Sequence, residues 1–315
     1  MIEIKRSIAR GWGKGELYDI LLQLQQGLYP ISGETYYVSK VGNNTDGLTW
    51  EKAFTTIAAA IAANNTHIAV TANSYGRNRM YIDGGGLWQE VLVTLPNQCD
   101  MIGVGARTGW RPTIYGSTAV TTAVLGCHIY NIMFYNPTAS VPVVTILAGS
   151  HGIEFHKCQF ANGDGNSSTI GLKLGSLADL VVNECWFSGN PPSVIGIQLD
   201  GTMAIGEIKN NFISATTTGI AIQNNTTADY GLRIVENIIF RADPNTDSAM
   251  AVGIDFRDTQ GRTHACVINN RIAAVDCIQF DGTVSGNRDH WMCLGNIVSA
   301  SGGAVADWES PPTTP

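Results

Sequence analysis

The chain has 315 residues, of which 35 are glycine and only 14% are charged, with 26 acidic against 19 basic side chains. That composition excludes a coiled coil or a charge-rich disordered chain, and a net charge of −7 gives no electrostatic reason to bind nucleic acid or an anionic membrane. With 44% apolar residues there is material for a sizeable core, in either two ordinary domains or one long all-β domain.

The first predicted element is a short amphipathic helix in an N-terminal segment, residues 1–34. Leu17, Ile20, Leu21, Leu24 and Leu28 recur there at helical spacing, after a stretch carrying Lys5, Arg6, Arg10 and Lys14. The segment lacks the apolar run of a secretory signal, so synthesis in a reducing cytoplasm without a signal peptide is expected. Seven cysteines, an odd number at irregular spacing, are read as free thiols. A second helix is predicted near residues 50–63; its apolar stretch, Phe54 to Ala63, is too short to cross a bilayer, and no membrane insertion is expected.

From residue 126 onward the chain repeats itself. One column pairs apolar residues with Asn or Cys: Asn131, Cys158, Cys185, Asn211, Asn237, Asn270 and Asn296, at steps of 27, 27, 26, 26, 33 and 26 residues. A second column lies between these members: Gly171-Leu172-Lys173-Leu174, Gly196-Ile197-Gln198-Leu199, Gly219-Ile220-Ala221-Ile222, Gly253-Ile254-Asp255-Phe256 and Cys277-Ile278-Gln279-Phe280. Apolar and polar residues alternate in it, the period of a half-buried strand. A unit of this length, with short strands and no helix, cannot bury its apolar face alone, so the units must stack as a parallel β-solenoid. Column positions then superpose, and the Asn residues become rungs at one corner, where a left-handed backbone is tolerated.

These columns resemble the right-handed parallel β-helix of the pectin-lyase-like superfamily. The segment before them is similar too: Tyr36-Tyr37-Val38-Ser39, Gly42-Asn43-Asn44-Thr45-Asp46-Gly47 and Trp50-Glu51-Lys52-Ala53-Phe54 precede an Ala-rich helix that would plug the first coil. The resemblance covers residues 36 to 300 and implies an all-β fold of about ten coils. It does not imply one activity, because the superfamily includes polysaccharide lyases, glycoside hydrolases, phage tailspikes and inert virion proteins. The expected organisation is a helical anchor at 1–34, a β-helix at 35–303 with its capping helix, and a C-terminal tail at 304–315.

Candidate site residues come from three places. Outward positions of the second column supply Lys173, Gln198 and Asp255, and positions just past those strands supply Asp200, Arg257 and Asp281 as ligand contacts. Arg257 and Asp281, on adjacent coils, also fit a plain exposed ion pair. The residues after the Asn/Cys rungs should face outward. Of Ile132, Gln159, Trp186, Phe212, Ile238, Arg271 and Ile297, five are large and apolar, marking either an interface or ground covered by loops. Corner loops of unequal length (136–141, 161–169, 188–193 and 242–250) either wall a groove or lie where insertions cost least.

Asn44-Thr45-Asp46-Gly47 resembles a polygalacturonase motif but precedes the first coil, where it reads as a turn; Asp164-Gly165-Asn166 also reads as a turn. No nucleotide loop, zinc spacing or nucleophile elbow occurs in the sequence, so no cofactor or metal is expected. Taken with the resemblance, the expectation is a bacteriophage virion protein, made in the host cytoplasm, that projects a β-helix as a spike, fibre or capsid decoration and recognises host-surface glycan. Its partners would be other virion proteins, through Leu17, Leu21 and Leu24 of the anchor, and two further copies of itself in a trimer along the apolar stripe. The alternatives are a tailspike depolymerase, hydrolase or lyase, acting through Asp200, Asp255 or Asp281, and a passive decoration protein without a ligand.

Overall fold

Alternation of apolar and polar residues winds the chain into coils of three short strands around one core. The coil starting at Ser150 is representative: strands Ser150–His156, Gln159–Asn162 and Ile170–Leu174 turn Ile153, Phe155, Phe160, Leu172 and Leu174 inward. The structure, a computed structural model, describes residues 33–71, 77–84, 86–105, 111–147, 149–163, 169–201, 205–223, 229–241, 250–256, 263–280 and 292–300. The anchor residues Leu17, Leu21 and Leu24, the site candidates Arg257 and Asp281, the turn at 164–166 and the tail 304–315 lie outside the described residues.

Equivalent strands of successive coils pair in parallel, giving, among the described residues, sheet A of ten strands, sheet B of nine and sheet C of seven. The fold is the expected right-handed parallel β-helix. Its coil count is lower than the expected ten: among the described residues sheet C has seven strands, and the first and last turns contribute strands to sheets A and B alone. Stacked rings mark the interior: Phe160 lies 5.5 Å from Phe134 and 4.6 Å from Phe187, centroid to centroid.

The plug helix α1 spans Ile57–Thr71 rather than residues 50–63. Its start is fixed from outside, since the two carboxylate oxygens of Glu90 accept the Ile57 and Ala58 N–H groups, each at 2.9 Å. Residues ahead of it form a fastened turn, in which Asp46 accepts from Leu48 N–H at 3.0 Å and pairs with Lys52 at 3.1 Å. That confirms the structural reading of the Asn44-Thr45-Asp46-Gly47 motif. The helix runs on past residue 63 because Asn64, fully buried, donates to Asn97 O at 2.9 Å and accepts from Asn78 Nδ2 at 2.8 Å.

At the corner between sheets A and B two columns sit side by side. The left-handed residue is Asn131, Lys157, Glu184, Asn210, Glu236, Asn269 or Gly295, with φ between 52° and 64°. The next residue points inward and forms the rung: Ile132, Cys158, Cys185, Asn211, Asn237, Asn270 and Asn296. Asn237 accepts from Asn211 N–H at 3.0 Å and Nδ2 at 2.9 Å, and donates to Ile208 O and to Asn270 Oδ1, each at 2.9 Å. Asn270 repeats the pattern with Ile234 O and Asn296.

Where Cys replaces Asn, the thiol takes over the amide's inward donation, Cys158 Sγ to Ile129 O and Cys185 Sγ to Phe155 O, both at 3.4 Å. Burial pushes the Cys185 thiol well above its usual range, and all seven cysteines are unpaired thiols as expected. The first rung is corrected. Asn131 belongs to the left-handed column, and Ile132, fully buried, is the rung and no part of an outer stripe. Met133 takes the outward place, in register with Gln159. Asn suits either column, which is why spacing alone misplaces this one.

The glycines of sheet C have a steric cause. A Cβ on Gly219 would lie 2.3 Å from Ile239 Cγ2 and 2.6 Å from the carbonyl oxygen of Gly253 on the next coil. The glycine lets sheets B and C close on each other.

Candidate functional site

The densest cluster of ionisable side chains among the described residues lies on the outer face of sheet A. Its strands place it there by simple alternation. In Cys127–Tyr130, Cys127 and Ile129 are buried while His128 and Tyr130 face out; in Ser150–His156, Glu154 and His156 do the same. In Cys99–Val104 the outward residues include Asp100 and Ile102. Parallel register sets Asp100, His128 and Glu154 in one row across three coils, with Ile102, Tyr130, His156 and Asn183 in the row beside it. Coils spaced by ~4.8 Å bring such neighbours within hydrogen-bonding reach.

The resulting chain of contacts runs along the molecule. The Arg77 guanidinium pairs with Asp100, whose Oδ1 is 3.3 Å from His128 Nδ1. His128 Nε2 lies 3.4 Å from Glu154 Oε1, and Glu154 Oε2 lies 2.7 Å from His156 Nε2. His156 stacks on Tyr130 at 4.9 Å with 11° between ring planes, and its Nδ1 is 3.5 Å from Asn183 Nδ2.

These side chains are reachable yet partly shielded: Asp100, His128 and Glu154 keep 19%, 23% and 27% of their side-chain surface exposed. Burial raises the Asp100 pKa, but hydrogen bonds from His128 and Arg77 and their charges outweigh it, so the carboxyl is held below its ordinary value. Burial, with Asp100 and Glu154 nearby, raises the Tyr130 hydroxyl.

The same face continues in both directions. Toward the N-terminal end Tyr37 stacks on Tyr81 at 5.8 Å and meets Trp50 at 4.8 Å. Toward the other end Glu207 is held by Lys209 at 2.5 Å and by Arg233 at 2.8 Å. Among the described residues no group of three or more His, Cys, Asp or Glu side chains is arranged to hold a metal ion. Chemically the face offers planar rings for stacking and carboxylates, imidazoles and amides for hydrogen bonding.

The sequence-derived candidates lie elsewhere. On sheet C, Lys173 Nζ pairs with Asp200 Oδ2 at 2.8 Å, and Gln198, mostly buried, donates to Gln223 Oε1 at 2.8 Å. These four form one patch. Asp255 is in register with Ala221 and Gln279, and buried Ala221 stands between it and Gln198. Asp200 and Asp255 thus occupy different rows on non-adjacent coils, so they do not converge as a carboxylate pair.

On sheet B the apolar stripe runs in register through Met133, Gln159, Trp186, Phe212, Ile238, Arg271 and Ile297. Trp186, Ile238 and Ile297 are 41%, 43% and 61% exposed. Phe212 joins Trp186 at 5.1 Å and Phe240 at 4.6 Å.

Asp100, His128, Glu154 and His156 were legible as alternating polar positions in the strands preceding the rungs. The positions three and one before the left-handed corners Asn131 and Lys157 are His128, Tyr130, Glu154 and His156, and Asp100 is in register with His128.

No protein-family model matches the sequence, and no curated protein matches it. Among solved structures, a rhamnogalacturonan lyase superposes with a TM-score of 0.48 at 12% identity, over 79% of this chain and 73% of that one. Pectin methylesterase PemA from Erwinia chrysanthemi superposes at 0.42 with 13% identity, over 86% and 91%. A pectin methylesterase from Aspergillus niger gives 0.37 at 14% identity, over 86% and 87%. At these scores the likenesses assign neither a family nor an activity to this chain.

Proposed function

We propose that this β-helix binds an extended polysaccharide along the outer face of sheet A, as the projecting part of a bacteriophage spike, fibre or capsid decoration that recognises a host surface. The observation that carries the reading is the row of outward side chains Tyr37, Tyr81, Ile102, Tyr130, His156 and Asn183, which is aromatic or hydrogen-bonding at every coil but that of Ile102. A polymer of ring-shaped units meets such a row with one ring against an aromatic face and hydroxyls against carboxylate and imidazole. Affinity electrophoresis of the full chain through a panel of capsular polysaccharides tests it, with a Tyr130→Ala, His156→Ala double variant as control. Retention lost in the double variant supports the reading; retention by no polysaccharide overturns it.

The virion half of the proposal includes docking through residues 1–34 to other particle proteins and lateral association as a parallel homotrimer. Exposed Trp186 and Ile238, with half-buried Phe212 between them on sheet B, support association, because a contiguous apolar patch of this kind marks contact surfaces. Particles lacking the protein should adsorb poorly to host cells; unchanged adsorption would favour a passive decoration.

One observation favours a second reading, polysaccharide depolymerisation. Glu154 and His156, 2.7 Å apart on the ligand face, are a carboxylate–imidazole pair able to move a proton. Release of reducing ends from a retained polysaccharide, abolished by Glu154→Gln, would establish it. Binding without release keeps the protein an adhesin.

A further inference from the structure

The charge pattern of the same face selects the class of glycan, an inference that rests on the glycan-binding reading above. A polyanionic chain, such as a polyuronate, needs cations repeating along its path. On sheet A three of the cations are already committed: Arg77 to Asp100, and Lys209 and Arg233 to Glu207. Two imidazoles of the face are held by carboxylates, His128 between Asp100 and Glu154 and His156 against Glu154. Arg79, exposed near the N-terminal end of the row, stands in register with Asp100. A carboxylate brought beside Glu154 would therefore meet only side chains already held by carboxylates, and the single Arg79 next to Asp100 supplies no repeat of cations along the path; like charges so placed oppose binding.

Hydroxyl groups face no such obstacle. Each carboxylate oxygen keeps acceptor capacity beyond its ion pair. The Tyr130–His156 and Tyr37–Tyr81 stacks add apolar ring surface and tyrosine hydroxyls to the face. We infer that the ligand is an uncharged, hydroxyl-rich polysaccharide, and that the paired charges on sheet A act as a filter against acidic ones. The molecule's overall net charge of −7 acts in the same sense at longer range.

The test uses the full chain and four polymers, neutral galactomannan and dextran against acidic polygalacturonate and alginate, each run in affinity gels at about 20 and about 300 mM NaCl. The expected result is retention by a neutral polymer that changes less than about twofold with salt, since no net charge is being screened. Retention only by an acidic polymer, falling steeply with salt, would overturn the inference and leave the glycan reading standing. Retention by none of these or of the capsular panel would overturn both. Glu207→Gln checks the filter itself. By releasing Lys209 and Arg233 it should produce retention by polygalacturonate that the wild type lacks, with an unchanged circular dichroism spectrum. A folded Glu207→Gln protein that gains none would show that charge pairing is not the filter.

Discussion

His128 Nε2 and Glu154 Oε1 meet at 3.4 Å across two adjacent coils, while the opposite nitrogen of the same ring lies 3.3 Å from Asp100. One imidazole thus joins side chains of three successive coils on the face proposed to hold glycan. Replacing it with alanine leaves two carboxylates facing a gap. His128→Ala should weaken binding to a retained polysaccharide about tenfold, equal to ~1.4 kcal/mol. Because Arg77 still pairs with Asp100, the melting temperature should fall less than in Asp100→Asn. Affinity electrophoresis and a thermal melt separate the two effects; a large drop in melting temperature would give the ring a structural role instead.

Asp100 makes acid stability testable. Its folded carboxyl is held below the ordinary value, since the His128 and Arg77 contacts outweigh the opposing effect of burial. The stability it contributes is therefore present above the usual carboxylate range, around pH 4, and is lost as pH falls through the lower folded value. Asp100→Asn should lower the melting temperature at neutral pH and flatten its decline in acid. Melts taken from about pH 2 to about pH 6 check this; parallel wild-type and variant curves would contradict it.

The asparagine ladder predicts a graded series. Asn237→Ala removes a fully buried amide and strands the N–H of Asn211, the carbonyl of Ile208 and a lone pair of Asn270. Groups left unsatisfied in this way cost about 1–3 kcal/mol each, so a loss of about 3 kcal/mol or more is expected in denaturant titration. Asn237→Cys should lose less, because Cys158 and Cys185 keep the inward donation at equivalent rungs. Equal losses for Ala and Cys would refute the thiol's substitution for the amide.

The sheet B stripe predicts association. Trp186 and Ile238 are in consecutive outward positions either side of Phe212. The wild type should have a trimer's mass by light scattering, and a Trp186→Ser, Ile238→Ser variant should shift to monomer without loss of β-structure. A monomeric wild type at high protein concentration would remove the association from the proposal.

Much of the scaffold was legible because stacking forces like residues into like positions: the Asn/Cys rungs and the Gly-led strands recur at nearly fixed steps. Two things were harder to read. Asn131 and Ile132 exchanged roles, since asparagine fits both a left-handed corner and a buried ladder, and only the hydrogen-bond pattern tells them apart. The ligand face was missed because His128, Glu154 and His156 carry no motif. Their meaning arises from register between coils, where Asp100 and Glu154, far apart in sequence, share one imidazole. Conversely Asp200, conspicuous in sequence, proves to be paired with Lys173 on another sheet.

The coil that departs from the repeat length shows what the ladder makes possible. Eleven residues, 241–251, separate the sheet B strand Ile238–Phe240 from the sheet C strand Val252–Phe256, against three, 215–217, in the coil before. Yet Asn237 meets Asn270 across that longer coil at 3.0 and 2.9 Å, the same distances at which Asn211 meets Asn237. Register is set at one corner and length is varied at another. The scaffold can therefore exchange or lengthen its corner segments as cassettes while the core stays in frame, and a lineage built on it can alter what its flank touches without having to refold.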